Sequence, residues 1–162
     1  MSTDQQDIIH FIYAEAALID AQKFTEWLDL YTEDALYWMP LEFDQTEEHL
    51  TTSLMYEDKL LLTVRINRLQ GHRTYSQKPR SRCHHLLQTP EILEINDDEV
   101  KTKTAFHYTE TRNDEQFTLV GWVEHTLKRA SDGEKPGALK ILRKRVNLLN
   151  PEAAHSNIQL FV

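Results

Sequence analysis

The sequence has few of the residues that bend or cross-link a chain: 4 glycines, 5 prolines and 1 cysteine among 162 residues. A single cysteine cannot form an intramolecular disulfide. No apolar run approaches the ~20 residues that a membrane-spanning helix needs, and no charged segment leads into an apolar one as in a secretory signal. The sequence therefore predicts one cytoplasmic domain over residues 1–162, with no membrane partner.

The charge and the missing motifs exclude further classes. There are 26 acidic and 18 basic residues, which gives a net charge of −8. This charge repels a phosphate backbone, and the short basic cluster at 140–145 is too small to reverse the repulsion. There is also no G-x-G-x-x-G, phosphate-binding loop, G-x-S-x-G or H-E-x-x-H sequence. We therefore expect no nucleic-acid partner and assign no catalytic or cofactor-binding residue.

Helical periodicity dominates the N-terminal half. Residues 3–6 (T-D-Q-Q) form a capping box ahead of a first amphipathic helix. A second helix is predicted from Phe24 to about Tyr31. A third is predicted over 56–70 and is closed by a left-handed C-cap at Gly71. Between them, the aromatic-rich segment 35–39 reads as a strand that ends at Pro40.

Beyond residue 81 the apolar period changes from 3.6 to 2. Alternation is clearest over 100–108 and 116–128, with Asn113 and Asp114 supplying the turn between them. Further strands are expected at 82–88 and 139–149, a turn at 131–137, and a last apolar segment at 157–162. Helices followed by hairpins predict an α+β domain, with about three helices on one face of a strongly curved, largely antiparallel sheet of about six strands.

The stretch S-R-C-H-H-L-L-Q at 81–88 is a candidate metal or nucleophile site. On a strand, Cys83 and His85 face one side and His84 the other, so one ion could not bind all three. Side chains at i and i+2 lie about 6–7 Å apart, which is too far for a thiolate and imidazole pair. We therefore expect Cys83 to pack as a small apolar side chain and predict no metal ligand in the chain.

The third predicted helix carries charged residues with two readings each. Glu57 and Asp58 could form an acid/base pair, but carboxylates at a helix start more often interact with the helix dipole. Arg65 and Arg68 could bind an anion, although a salt bridge on a helix face is the favoured interpretation.

Four segments, in one order, resemble the small (beta) subunit of aromatic-ring-hydroxylating dioxygenases, the terminal component of Rieske non-haem iron oxygenases. They are E-A-x-x-x-D at 15–20, Y-T-E-D-A-L-Y-W-M-P at 31–40, Y-E-D-K-L-L-L-T-V-R-I-N-R-L at 56–69 and S-R-x-x-H-L-L at 81–87. The resemblance runs from about residue 8 to the last strand. It implies the cone-shaped fold of nuclear transport factor 2 (NTF2), ketosteroid isomerase and scytalone dehydratase, in agreement with the element order.

The resemblance implies a non-catalytic structural subunit of an oxygenase that performs NADH-dependent cis-dihydroxylation of an aromatic compound in aromatic catabolism. The chain would pair with a large (alpha) subunit, usually three of each, around a trimer of beta subunits. Electrons would come from NADH through a reductase and sometimes a ferredoxin. A Rieske [2Fe-2S] cluster needs two cysteines and two histidines, so one cysteine cannot hold it. The cluster and the mononuclear Fe(II) are expected in the alpha subunit.

Under this hypothesis the chain should present aromatic and arginine anchors to its partners. The expected subunit-interface residues are Tyr37, Trp38, Arg82, His84, Tyr108, Trp122, Leu160 and Phe161, the last two followed by Val162. The alternative hypothesis is a free-standing NTF2-like enzyme of the dehydratase or isomerase type, with His85 as its general acid/base. The identity of the aromatic substrate and the choice between dihydroxylation and monohydroxylation stay open from sequence.

Overall fold

Three helices and seven strands make up the part of the chain that the computed structural model describes, residues 3–71, 78–130, 138–155 and 158–162. The helices are α1 (Thr3–Asp20), α2 (Phe24–Leu28) and α3 (Lys59–Gln70). The strands are β1 (Tyr31–Pro40), β2 (Ser53–Asp58), β3 (Arg82–Leu87), β4 (Glu91–Ile95), β5 (Glu99–Arg112), β6 (Glu115–Arg129) and β7 (Leu139–Leu148). The predicted α+β class is confirmed.

The strands form one sheet in the order β2-β1-β7-β6-β5-β3, and β4 also pairs with β5. Every pairing is antiparallel except that of β1 with β7. The long strands β5 and β6 are joined by a two-residue turn in which Asn113 has a φ of 55°. Asparagine tolerates this left-handed conformation, so the predicted turn is confirmed.

The helices cover one face of the sheet, which we call the inner face. Strand β5 alternates as predicted and buries its inward side chains, Val100, Thr102, Thr104, Phe106 and Tyr108. Helix α1 adds Ile8, Ile12 and Ile19 to the same core. Residues 158–162 also pack there, where the Phe161 ring centroid lies 4.4 Å from that of Trp27. Aromatic contact therefore ties the end of the described chain to α2.

Two predicted helix boundaries are wrong. Helix α2 ends at Leu28, and Tyr31 instead begins β1, where it is in register with Ile141 of β7. Residues 56–58, the start of the predicted third helix, instead end β2 and pair with β1, and α3 begins only at Lys59. In both places pairing with a distant strand overrides a local helical pattern, because the sheet buries side chains that an isolated helix would leave exposed.

Other expectations about local structure have mixed outcomes. Gly71 is extended (φ −66°, ψ 139°) rather than left-handed, and its N–H donates to the Arg68 carbonyl. The described part of the last apolar segment, 158–162, is buried without forming a strand. The predicted turn at 131–137 lies outside the described residues. Within the described ranges, no helix combines the length and the apolar composition that crossing a bilayer requires.

Candidate functional site

A row of polar side chains crosses the inner face from β5 to β2. Its members are cross-strand neighbours in register: Thr102, His125, Lys144, Tyr37 and Glu57. All five are buried, although three of them carry ionisable acidic or basic groups. Buried charges are stable in a folded protein only when they are paired, so this row requires partners from the helices above it.

Glu15 of α1 supplies the central partner. Lys144 Nζ donates to Glu15 Oε1 over 2.6 Å, and Trp27 Nε1 donates to the same oxygen over 2.7 Å. His125 Nε2 lies 3.5 Å from Glu15 Oε2. One carboxylate therefore connects two helices to two strands.

The electrostatics of this buried group set its protonation states. Burial by itself raises the pKa of Glu15, but the positive charge of Lys144 and contact with His125 bring this pKa far below its ordinary value. Burial lowers the pKa of His125, against the influence of Glu15. At neutral pH the group is an ion pair between Glu15 and Lys144 beside a neutral imidazole.

At the β2 end of the row, Arg65 of α3 covers Glu57. Arg65 Nε lies 2.9 Å from each carboxylate oxygen of Glu57. The Asp58 side chain caps α3 by accepting from the Leu61 N–H over 2.8 Å. The predicted helix-end role of Asp58 and the predicted salt bridge of Arg65 are confirmed. Glu57 lies on β2 and forms this ion pair instead of interacting with the helix dipole. The interpretation of Arg68 stays a prediction.

The S-R-C-H-H segment forms β3, beside the end of α1. His85 Nδ1 lies 2.7 Å from Asp20 Oδ1, and the His85 backbone N–H donates to Asp20 Oδ2. His84, on the opposite side of the strand, still brings Nδ1 to 3.2 Å from Asp20 Oδ2. Burial raises the pKa of Asp20, but the hydrogen bonds from His85 outweigh burial and lower it. The two histidines thus share one carboxylate at the α1 end.

Cys83 behaves as the sequence predicts. It packs against the apolar core, and Sγ lies 3.7 Å from the Ile19 carbonyl oxygen. Burial, followed by the negative charge of Asp20, raises the pKa of the thiol to about 12. A thiol with this pKa carries almost no thiolate at neutral pH, so it is a poor nucleophile.

The arrangement around His85 does not favour the general acid/base hypothesis. Its side chain is only 4% exposed, and Nε2 is buried with no hydrogen-bond partner among the described residues. The Tyr108 ring lies against the imidazole with centroids 4.9 Å apart, and the Tyr108 hydroxyl donates to Glu110. A general base must reach a substrate proton, and this imidazole is enclosed by its own chain.

Two cavities lined by described residues lie away from His85. One, of about 150 Å³, is lined by Gln22, Phe24, Leu69, Gln70, Arg80 and Leu160. The other is an open groove of about 650 Å³ beside Tyr31, where Lys59, Lys128, Arg129 and Lys140 each lie near a carboxylate or a backbone carbonyl. In the described part of the chain, no group of three or more His, Cys, Asp and Glu side chains is placed to hold a metal ion.

The expected interface residues divide into two sets. Five are buried inside the chain and have almost no accessible surface to offer a partner: Tyr37, Trp38, Tyr108, Leu160 and Phe161. Their burial corrects the expectation that these aromatic residues lie at the surface. The Tyr37 hydroxyl, for example, contacts the backbone of Val162. Arg82 and His84 are exposed and Trp122 is half-buried, so these three alone keep surface available for an interface.

Trp38 faces away from the helices, toward the outer face of the sheet, yet it is fully buried. Residues 41–52, which we call the β1–β2 loop, fold across it. The guanidinium groups of Arg143 and Arg145 lie 5.0 and 4.4 Å from the Trp38 ring centroid. Gln45 holds the loop by accepting from Leu41 N–H and donating to the Glu47 carbonyl, and Arg145 donates to the Gln45 carbonyl. Two cation–π contacts and one buried amide thus order the loop.

Sequence reasoning missed several of these residues. Glu15 and Asp20 were noted only as parts of a resembling motif, and the structure shows that they pair with the sheet. Lys144, His125 and Gln45 received no role. Lys144 and His125 lie on predicted strands, so a lysine and a histidine at inward positions were the available signal. The position of Gln45 carried no comparable signal.

Comparison with known proteins identifies the family. A family model described as the ring hydroxylating beta subunit matches residues 14–152. The small subunit of 2-halobenzoate 1,2-dioxygenase from Burkholderia cepacia is 30% identical over 161 residues, which cover 96% of this chain and 93% of that subunit. The chain belongs to the ring-hydroxylating dioxygenase beta subunits. The family resemblance is confirmed.

Other beta-subunit relatives agree. The small oxygenase component of the p-cumate 2,3-dioxygenase system of Pseudomonas putida is 29% identical and covers 87% of this chain and 77% of that component. The benzoate 1,2-dioxygenase beta subunit from Burkholderia mallei superposes with a TM-score of 0.77 at 26% identity over 99% of both chains. Naphthalene 1,2-dioxygenase gives a TM-score of 0.81 at 18% identity, covering 98% of this chain and 85% of that chain, which supports the fold alone. The NTF2-like fold of this beta subunit is therefore confirmed.

Proposed function

We propose that this beta subunit is a non-catalytic structural component of the terminal oxygenase of a multicomponent aromatic-ring-hydroxylating dioxygenase. The family match over residues 14–152 carries the proposal. The geometry supports it because the chain's own aromatic side chains fill the space between helices and sheet. The Phe161 ring lies 5.6 Å from Phe24 and 5.9 Å from Tyr37, measured between centroids. A reacting molecule would have to displace this aromatic core.

The partners follow from the same proposal. A large alpha subunit would carry the Rieske [2Fe-2S] cluster and the mononuclear Fe(II), and a reductase, with or without a ferredoxin, would deliver electrons from NADH. The beta subunit would form a trimer within an assembly of three alpha and three beta chains, in the cytoplasm. The exposed Arg82 and His84 and the half-buried Trp122 would belong to its contact surfaces.

For the substrate we propose an aromatic carboxylic acid. The relatives described above include proteins named for 2-halobenzoate, p-cumate and benzoate, which all carry a carboxylate on the ring. The ring would bind beside the iron of the alpha subunit. The contribution of this chain would be to hold the alpha subunits in register, so that electron transfer and ring oxidation occur in a fixed geometry.

Co-expression with the large subunit, whose gene we expect beside that of this chain, tests the proposal. We expect the two chains to co-purify, and the mixture with its electron-transfer partners and NADH to convert benzoate-type acids to cis-dihydrodiols. The isolated beta subunit should contain no iron and convert none of these acids. Turnover of a small molecule by the isolated chain, abolished by His85→Gln, together with no association with the large subunit, would instead support the dehydratase or isomerase alternative.

A further inference from the structure

Two exposed features lie at opposite sides of the outer face of the sheet. The first is the β1–β2 loop, which lies over β7 and β6, where the Phe43 ring centroid is 5.7 Å from that of Trp122. The second is the outward side of β3, at the far end of the strand order. Neither feature takes part in the inner polar row, and each has a surface that the folded monomer leaves uncovered.

The β1–β2 loop is acidic and presents an apolar tip. Residues 41–52 include four carboxylates and no lysine or arginine, and Glu42, Asp44 and Glu47 are exposed. Leu50 is 84% exposed. The loop is nevertheless held in place, because Glu48 forms an ion pair with Arg143 and the Tyr56 hydroxyl donates to Glu48. An ordered loop that exposes a leucine beside acids is suited to an interface, since little conformational entropy remains to be lost.

The outward side of β3 has the opposite character. Arg82, His84 and Leu86 point outward, with Leu86 67% exposed and the His84 side chain 77% exposed. Their register partners on β5 are Thr111, Thr109 and His107. These six positions include no carboxylate. Asp20 lies beside His84, but its carboxylate already accepts from His85. In a chain of net charge −8, these positions combine one exposed leucine and one arginine with no acidic side chain.

We propose that the β1–β2 loop of one copy packs against the outward side of β3 of the next copy, with Leu50 on Leu86 and the loop carboxylates facing Arg82. The inference rests on the proposed function, because it specifies how the beta subunits associate with one another. Each copy carries both halves of the contact, and their charges are opposite in sign. This complementarity is the argument for a second copy as the partner.

The placement also fits a ring. A contact between two different patches is heterologous, and it closes into a ring when successive copies are related by a rotation such as a three-fold axis. A two-fold dimer would instead use the same patch on both copies. Because the loop lies over β7 and β6 while β3 lies at the end of the strand order, the two patches are separate and each copy can contact one neighbour through each patch.

Charge substitutions at the two leucines test the contact. Leu50→Glu and Leu86→Glu are each expected to convert the trimeric beta subunit to a monomer, measured as a threefold loss of mass by native mass spectrometry or light scattering. Both side chains are exposed in the monomer, so folding should be retained, and circular dichroism checks this. Leu60→Glu is the matched control, because Leu60 is 69% exposed on α3 and lies outside both patches. This control should remain trimeric.

Mixing the two variants gives a sharper result. The Leu50→Glu copy keeps an intact β3 patch and the Leu86→Glu copy keeps an intact loop, so one good contact can form between them. We expect the mixture to give one-to-one dimers that cannot close into a ring, although each variant alone is monomeric. A contact between identical patches would give no such dimer.

The contrary outcomes are distinct. If both variants remain trimeric, the proposed contact is wrong, while the proposed function stands. If they remain trimeric but no longer co-purify with the large subunit, the patches bind that subunit and the inference is overturned. If the unmodified chain is monomeric both alone and within an active complex, self-association itself is wrong. Absence of ring oxidation by the unmodified complex would count against the proposed function instead.

Discussion

Two lysine–carboxylate pairs, one on each face of the sheet, have nearly the same geometry and opposite surroundings. Lys144 and Glu15 lie 2.6 Å apart on the inner face, with side chains 2% and 3% exposed. Lys101 and Glu94 lie 2.8 Å apart on the outer face, with side chains 47% and 49% exposed. Water screens the charges of the outer pair. The two groups of the inner pair have lost their hydration and depend on each other for stabilisation. Burial, rather than distance, decides how strongly the fold depends on each pair.

A similar contrast holds between one row of side chains on each face. On the outer face, charges alternate across the strands in the register order Glu91, Lys103, Glu124 and Arg145. On the inner face, Lys144 and His125 lie against Glu15 of α1, and Glu57 pairs with Arg65 of α3. The inner row therefore fixes how α1 and α3 sit on the sheet, and the outer row leaves a surface for solvent and partners. Four variants test this difference.

The largest effect is expected for Lys144→Met. The substitution leaves the Glu15 carboxylate buried without its counter-ion, which costs about 3–5 kcal/mol of unfolding free energy. Urea unfolding followed by circular dichroism measures the loss. A Glu15→Gln, Lys144→Met double variant should recover much of it, because no buried charge then remains. If the double variant is as unstable as the single one, lost packing rather than the unpaired charge is the cause.

The second-largest loss of unfolding free energy is expected for Gly121→Ala. Gly121 lies on the inner face of β6, and a Cβ there would collide with the backbone carbonyl oxygen of Asn147 on β7. Because the obstacle is backbone, the two strands must shift apart, and we expect a loss of about 1–3 kcal/mol. The neighbouring outward residue provides the control: Val120→Ala should cost less in the same urea titration. Equal losses would show that this close approach of the strands is not a constraint.

His125→Gln should change how stability depends on pH. Burial depresses the pKa of His125 in the folded state, so below its ordinary value of about 6.5 the unfolded chain binds a proton that the folded chain does not. Stability therefore falls as the pH falls from about 7 to 5, by at most about 1.4 kcal/mol per pH unit for one proton.

The glutamine variant should show a shallower pH dependence of its urea midpoint over this range. His10→Gln is the control, because His10 is exposed on α1 and lies outside the buried group and both proposed patches; this variant should keep the slope of the unmodified chain. Glu15, whose pKa is also depressed, adds a loss of stability only at lower pH, below its ordinary value of 4.5. An unchanged slope in His125→Gln would mean that folding does not shift the pKa of His125.

The smallest effect is expected for Lys101→Met, the outer counterpart of the first variant. Both members of the pair are solvent-exposed, so the urea midpoint should not change measurably. Salt provides a second measurement: because salt screens an exposed pair, the variant and the unmodified chain should also agree at high ionic strength. A loss comparable to that of Lys144→Met would refute the contrast between the two faces.

Much of the fold could be predicted from the sequence, because its signals are local. The period-two alternation of 100–108 and 116–128 predicted two long strands and the Asn113–Asp114 turn between them. The helical spacing of α1 was equally clear. The wrong predictions came from local patterns as well: Tyr31 and residues 56–58 fit helical spacing, yet pairing with β7 and β1 makes them parts of strands. A pattern of spacing carries no information about which distant strand will compete for a segment.

The candidate sites show the same limit. The resemblance correctly indicated the family, and the face of Cys83 and His85 followed from strand geometry. The expected interface was mostly misplaced, since Tyr37, Trp38 and Phe161 are buried. An aromatic residue at an outward position is normally a good interface candidate. Trp38 is not one, because the β1–β2 loop of the same chain covers its side chain.

By itself, the sequence determined the class of the protein: its α+β order, its acidic charge, its inability to hold a Rieske cluster on one cysteine, and its family. These properties depend on composition and on spacing between near neighbours in the chain. Only the tertiary structure decided that residues as distant as Tyr37, Glu57, Thr102, His125 and Lys144 form one buried row, and that the β1–β2 loop covers Trp38. Strand register creates such neighbours, and register is set by the free energy of burying the whole sheet rather than by any single segment.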